Sequence, residues 1–150
     1  MNTVLLANLI KIRWIAITGQ LITLFTIFFA FNFTIPLTEC CVVVLLSILV
    51  NFYSYFIQRG NSTLTDKKTF LFLTFDISQL VGLLFLTGGV FNPFVILILA
   101  PIIISASYLS ALWTILLALY SILLILIINF NYIPLNWEQN FIIPSIYNVG

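Results

Sequence analysis

The chain has 150 residues, of which 63% are hydrophobic and 6% are charged. Soluble domains carry about 25% charged residues, so this composition predicts an integral membrane protein rather than a water-facing domain. The net charge of +1 and the lack of a basic patch give no indication of nucleic-acid binding. Histidine is absent, which excludes histidine metal ligands, histidine general bases and a phospho-accepting histidine within these residues.

Five apolar stretches are predicted to cross a hydrocarbon core of about 30 Å. They lie at about residues 14–33, 39–58, 69–87, 93–109 and 112–129. Residues 1–12 are weakly amphipathic and predict a short helix in the membrane interface, and Arg13 and Trp14 are predicted to anchor the first span at the head groups. Pro101 is predicted to kink the fourth span. The predicted fold class is an all-α, polytopic transmembrane helical bundle.

The basic residues indicate how the chain crosses the membrane. Lys11 and Arg13 precede the first span, and Arg59, Lys67 and Lys68 lie between the second and third spans. Both groups fall on the same side of a serpentine chain, and short loops rich in lysine and arginine stay in the cytoplasm. We therefore expect a multi-pass protein with a cytoplasmic amino terminus.

The most informative stretch is the turn between the third and fourth spans, residues 88–94, which reads GGVFNPF. Gly88 suits the left-handed conformation that ends a helix, Asn92 is a good N-cap, and Pro93 suits the first helical position. These residues predict a tight helical hairpin. A turn with this capping chemistry needs no ligand, so a purely structural role is one interpretation.

A second interpretation is that the turn holds a flat, weakly polar ring. The two glycines allow close approach of the backbone, Phe91 and Phe94 offer ring faces, and free N–H groups and the Asn92 amide offer donors to a carbonyl oxygen. A quinone head group has the matching properties. The candidate quinone-binding residues are Gly88, Gly89, Phe91, Asn92, Pro93 and Phe94.

Asp76 is the one acidic residue that the sequence buries within a predicted span. A charge at membrane depth costs at least about 2.5–3.5 kcal/mol unless it is paired or hydrated. Gln79 follows on the same helical face, and Gln20 in the first span is predicted to face another helix. Asp76, Gln79 and Gln20 form a candidate polar cluster that either holds a conformational state or serves as structural contact between helices. No catalytic residue and no metal ligand is predicted.

The run GGVFNPF resembles the GGxxNPF heptapeptide of the RegB/PrrB family of redox-sensing histidine kinases. In that family the motif lies between the third and fourth membrane helices and is assigned to ubiquinone sensing. The resemblance covers about residues 10–110. Its other matching positions are Arg13-Trp14, Gly19-Gln20, Phe75-Asp76, Gln79-Leu80, Leu86-Thr87, Pro101 and Ser105-Ala106.

The resemblance implies the membrane sensor domain of a two-component system in the bacterial inner membrane. It implies ubiquinone as the sensed ligand, with oxidised quinone favouring a kinase-inactive arrangement. It also implies a homodimer embedded in lipid and a response regulator as phosphate acceptor. The family has six spans followed by a cytosolic, ATP-dependent kinase. We therefore expect five of six spans here, with the sixth span and the kinase domain outside these 150 residues.

Two other functions fit parts of the sequence. A small transporter or channel subunit would line a polar path with Asp76 and Gln20, because intramembrane acids often mark such paths. Against this function, the sequence shows a single buried acid, no basic partner predicted inside a span, and no inverted repeat. A structural membrane subunit without a ligand is the third interpretation.

Overall fold

The computed structural model describes residues 6–29, 33–57, 64–134 and 136–137, and it confirms the all-α fold class. Two 3₁₀ segments, Gly89–Phe91 and Pro93–Ile98, connect the third and fourth α-helices. In chain order the other elements are α1 Leu6–Phe29, β1 Phe33–Thr34, α2 Leu37–Ile57, α3 Asp66–Leu86, α4 Leu99–Tyr108, α5 Ala111–Phe130 and β2 Asn136–Trp137.

Four of the helices, α1, α2, α3 and α5, are long and apolar enough to cross a membrane. In α1 and α5 only 17% of the most apolar stretch is buried within the protein, so most of these apolar side chains face outward. An apolar outer surface is stable in lipid, where backbone groups are satisfied inside each helix. The helices therefore support an integral membrane protein.

The fourth predicted span is built differently from the others. Its first six residues form a 3₁₀ helix and the next ten form α4. At about 2.0 Å and 1.5 Å of rise per residue, the two parts together cover roughly 27 Å, close to the hydrocarbon thickness. At its far end, Trp113 of α5 lies 5.0 Å from Phe70 near the start of α3, measured between ring centroids. The segment therefore returns over the full height of α3.

Pro101 lies close to the change of winding within this segment. Its side chain is buried in the first turn of α4, directly after the 3₁₀ helix. Proline has no N–H to donate to the carbonyl of Leu97, and its ring collides with that carbonyl in an α-helix. The winding changes from 3₁₀ to α at Leu99, two residues before Pro101, and the kink predicted at Pro101 stays a prediction.

The structure corrects the prediction for the amino-terminal region. α1 runs without a break from Leu6, so the described residues before Arg13 continue the helix of the first span and do not form a separate helix. Arg13 is buried, with 6% exposure, which differs from the exposed position expected of a head-group anchor. Trp14, the other predicted anchor, is exposed. Residues 1–5 and Arg59 lie outside the described part of the chain.

α3 is the central helix because it packs against α2, α4, α5 and both 3₁₀ segments, and it contributes to both apolar cores. One core contains Ile17 of α1, Val44 of α2 and Leu83 of α3. The other joins α3 to α4 and α5, with Leu84 and Leu117 fully buried. α1 packs on α2 and α2 on α3, while α4 lies against α3 and α5. This arrangement leaves a groove along α3, between α1 and the chain that runs from the heptapeptide turn into α4.

Candidate functional site

The heptapeptide turn, residues 88–94, has the predicted capping geometry. Gly88 adopts the left-handed conformation with φ 103°. Asn92 is the N-cap of the 3₁₀ helix: its Oδ1 accepts a hydrogen bond from the N–H of Phe94 at 2.9 Å, and Pro93 follows at the first helical position. The predicted tight hairpin is confirmed, with the physical roles expected for Gly88, Asn92 and Pro93.

The side chain of Asn92 points inward and is 4% exposed. Its Nδ2 donates to the carbonyl oxygen of Thr87 at 2.9 Å and to the Oγ1 of Thr87 at 2.8 Å. The N–H of Phe94 is bonded to the Asn92 side chain and that of Val95 to the Asn92 carbonyl oxygen at 3.0 Å. The donors that were expected to be free for a ligand are therefore occupied within the turn, which corrects the role expected for the Asn92 amide.

Gly89 is covered by a protein side chain. Its φ is +62°, and a Cβ added there would lie 2.6 Å from Cγ of Tyr132. Tyr132 also contacts Phe91, with ring centroids 5.7 Å apart, and the N–H of Ile133 donates to the carbonyl oxygen of Phe85 at 2.8 Å. The ring of Tyr132 therefore occupies the space that a side chain at position 89 would take. This contact holds the chain after α5 against the turn.

The groove that begins at this turn has a volume of about 360 Å³. Thr87, Asn92 and Phe94 line one end, and Arg13 and Asp76 line the other. Most of the remaining lining side chains are apolar, and several of them are exposed at the surface of the chain. The groove is therefore open at the apolar surface of the bundle. Of the six candidate quinone-binding residues, Asn92 and Phe94 line it, and Gly88, Gly89, Phe91 and Pro93 do not.

Asp76 forms an ion pair with Arg13 across the space between α3 and α1. Nη2 of Arg13 lies 2.8 Å from Oδ1 of Asp76, and Nε donates to Oδ2 at 3.1 Å. Nη2 also donates to the carbonyl oxygen of Phe72 at 3.0 Å, and the guanidinium lies 4.8 Å from the Phe72 ring centroid and 5.7 Å from that of Phe75. The expectation that Asp76 has no basic partner within a span is wrong.

Gln20 and Gln79 form a second pair between the same two helices. Nε2 of Gln20 donates to Oε1 of Gln79 at 3.2 Å, and Nε2 of Gln79 donates to Oε1 of Gln20 at 3.0 Å. Together with Asp76, both side chains line the groove, so the structure brings the three residues of the predicted polar cluster to one wall. This wall, composed of Arg13, Gln20, Asp76 and Gln79, is called the polar wall below.

Sequence reasoning missed Arg13 and Tyr132. Arg13 precedes Gln20 by seven residues, which is about two helical turns, so the two side chains lie on one face of α1. That spacing is a signal from which Arg13 follows as a member of the cluster. Tyr132 has no such signal, because its contact with Gly89 depends on how α5 returns to the turn.

The fold and the groove define a class of protein: a polytopic helical membrane protein with a charged pair and an amide pair facing an open intramembrane groove. No family model matches the chain, and no solved structure matches it significantly.

Two curated proteins of Cereibacter sphaeroides, each named sensor histidine kinase RegB, are similar to the chain. One is 36% identical over 130 residues, which is 87% of this chain and 28% of the relative. The other is 37% identical over 75 residues, which is 50% of this chain and 16% of the relative. The chain belongs to the RegB family of sensor histidine kinases. It spans less than a third of the length of these relatives.

Proposed function

We propose that this chain is the membrane sensor portion of a RegB-type histidine kinase, and that it senses the redox state of the quinone pool with ubiquinone as ligand. The observation that carries the proposal is the extent of the match. A match of 130 residues in a chain of 150 leaves at most 20 residues outside it, so it includes residues 21–130. That range contains the heptapeptide turn, Asp76 and Gln79.

The groove supports the choice of ligand. It is mostly apolar and open at the outer surface of the bundle, so a molecule dissolved in the bilayer enters it without crossing water. Phe94 is an aromatic side chain in its lining, and a Cβ added at Gly19 meets no atom within 4 Å. A quinone ring fits this mixture of free space, aromatic contact and few polar groups, and its isoprenoid tail stays in lipid.

The helix contacts suggest how a ligand acts on a kinase. α1 packs closely on α2 and reaches the polar side chains of α3 through Arg13–Asp76 and Gln20–Gln79. A ligand between α1 and α4 shifts the position of α1 only if it binds one arrangement better than another. We propose that oxidised ubiquinone stabilises the kinase-inactive arrangement of a homodimer, and that the kinase passes phosphate to a response regulator.

The proposed orientation places the amino terminus in the cytoplasm. Lys11, Lys67 and Lys68 are exposed at the same end of the bundle, and the heptapeptide turn is at the opposite end. A reporter enzyme that is active only in the periplasm should work when fused after Phe91 and fail when fused after Asn61. The reverse pattern would contradict the orientation.

The function is tested with a chimaera. The matching segment of the Cereibacter sphaeroides RegB is replaced by this chain, and the kinase is reconstituted in liposomes with oxidised or reduced ubiquinone. We expect oxidised ubiquinone to lower autophosphorylation, and Gly19→Leu to remove that response because its side chain fills the groove. Thr18→Leu is the matched control, since Thr18 is exposed and does not line the groove. Autophosphorylation that is independent of quinone redox state would refute the proposal.

The Arg13–Asp76 pair favours transport as a second candidate function, because it supplies the basic partner that the sequence interpretation lacked. Paired intramembrane charges occur along ion and proton paths. A transporter predicts proton flux through liposomes that contain the chain, measured with an enclosed pH dye and lost in Asp76→Asn. Flux equal to that of empty liposomes would exclude this alternative for protons.

A further inference from the structure

The guanidinium of Arg13 has a pair of donors that the protein does not use. A guanidinium carries five N–H groups. Three of those of Arg13 bond to Asp76 and to the carbonyl oxygen of Phe72, through Nε and Nη2. Nη1 has no hydrogen-bond acceptor among the residues that the structure describes. The side chain is 7% exposed and lines the groove, so these donors lie in an apolar environment next to the free space.

Unused donors in this position favour the binding of an acceptor. A charged N–H group that faces an apolar groove is costly when it is unpaired, since apolar side chains cannot replace the missing hydrogen bond. Asp76 and the rings of Phe72 and Phe75 hold the guanidinium in place. An acceptor that binds Nη1 therefore meets a donor that needs little further ordering.

The charges of the groove restrict the acceptor to a neutral oxygen. Arg13 and Asp76 are the only charged side chains that line it among the described residues, and their charges balance. A carboxylate or phosphate at Nη1 would bring a second negative charge close to Asp76. A carbonyl oxygen of a lipid-soluble ring accepts the hydrogen bond without that repulsion.

We infer that Nη1 of Arg13 binds a carbonyl oxygen of the sensed ring, so that the head group lies at the polar wall and the heptapeptide turn closes the opposite end of the groove. This inference rests on the proposed function, because it takes the ligand to be a quinone. It differs from a head group held by the turn itself, where the Asn92 donors are bonded to Thr87 and Gly89 is covered by Tyr132.

Tryptophan fluorescence reports the position of the quinone ring along the groove. Quinone rings quench tryptophan fluorescence at short range. Trp14 follows Arg13 in α1 and its ring contacts Phe52 of α2 beside the polar wall, whereas the strand β2 that contains Trp137 pairs with β1 at the end of the bundle where the turn lies. Two single-tryptophan proteins, one retaining Trp14 and one retaining Trp137, are placed in lipid nanodiscs and titrated with a ubiquinone that has a short isoprenoid chain. We expect saturable quenching of Trp14 and only linear, unsaturable quenching of Trp137.

The role of Arg13 is tested with variants that keep the fold. Arg13→Met with Asp76→Leu removes the donor and leaves no buried charge unpaired. Arg13→Lys keeps the charge next to Asp76 and removes the fork of donors. We expect each variant to weaken saturable quenching of Trp14 by roughly 10- to 100-fold, the range for loss of a charge-assisted hydrogen bond. Thr18→Ala is the control, because its hydroxyl is bonded within α1 to the carbonyl oxygen of Trp14.

Each outcome decides a different point. Saturable quenching of Trp137 but not Trp14, unchanged in the Arg13 variants, would move the head group to the turn and overturn this inference while leaving the proposed function intact. Saturable quenching of Trp14 with unchanged affinity in both Arg13 variants would mean that Nη1 of Arg13 bonds to water and not to the quinone. That result would also overturn this inference. No saturable quenching of either tryptophan would overturn the quinone ligand itself.

Discussion

The heptapeptide turn and the polar wall differ in how far apart along the chain their bonded residues lie. The side chain of Asn92 bonds to residues two and five positions away. In the polar wall, Gln20 and Gln79 are 59 residues apart and Arg13 and Asp76 are 63 apart. The turn is therefore a local structure whose polar groups satisfy one another, whereas the wall exists only when α1 and α3 are assembled. The heptapeptide turn, which is the most recognisable sequence motif, lies at one end of the groove. The donor without a partner among the described residues, Nη1 of Arg13, belongs to the polar wall.

Breaking the polar wall at its ion pair should have the largest effect on stability. Asp76→Leu alone leaves the buried Arg13 charge without its partner, and we expect it to lower the free energy of unfolding by about 3–5 kcal/mol. Adding Arg13→Met should recover most of this loss, because both charges are then gone. Unfolding in detergent micelles, followed by circular dichroism, measures both changes. Equal stability of wild type and Asp76→Leu would show that the pair is solvated rather than buried.

Breaking the turn at Gly89 should have the next largest effect. Gly89→Ala places a Cβ against the ring of Tyr132 at a backbone φ of +62°, and strain of this kind costs about 1–3 kcal/mol. Gly82→Ala is the matched control, since its Cβ would meet Val43 at 3.7 Å, an ordinary contact. The same unfolding measurement compares the two. If Gly82→Ala is the more destabilising, Tyr132 does not hold the turn.

Removing the N-cap of the turn should have a smaller effect. Asn92→Ala loses the bond to the N–H of Phe94 and both bonds to Thr87, and loss of an N-cap typically costs about 1 kcal/mol. Asn92→Asp keeps the acceptor oxygen and should retain part of the stability. Amide hydrogen exchange at Phe94 reports the cap directly. Exchange that is no faster in Asn92→Ala than in wild type would argue against the cap.

The smallest effect is expected at the amide pair of the polar wall. Hydrogen bonds between membrane helices contribute about 0.6 kcal/mol on average. A double-mutant cycle with Gln20→Leu and Gln79→Leu should give a coupling energy of about that size, because among the described residues each amide bonds only to the other. A coupling energy near zero would mean that α1 and α3 are held by the ion pair and by apolar packing alone. Such a result would show that the ion pair of the polar wall contributes to stability and the amide pair does not.

The sequence by itself determined the membrane-length helices, which follow from composition, and the capped turn, which follows from neighbouring residues. Apolar stretches of membrane length predicted the helices, and the residue types of Gly88, Asn92 and Pro93 predicted the turn, because capping depends on neighbours a few positions away. Asp76 was identified as a member of a polar cluster with Gln79 and Gln20, since a lone charge is costly in lipid. The 3₁₀ winding of Pro93–Ile98 was not predicted; the sequence predicted only a kink at Pro101.

Only the tertiary structure decided which polar groups find a hydrogen-bond partner within the protein and which remain available to a ligand. Arg13 was interpreted as an interfacial anchor because it stands near a helix start, yet helix packing buries it against Asp76. The Asn92 amide was interpreted as a ligand donor, yet Thr87 takes both of its hydrogens. Composition and short-range spacing cannot report such pairings, because the partners meet through the folding of the chain. The free space over Gly19 and the covering of Gly89 by Tyr132 arise for the same reason.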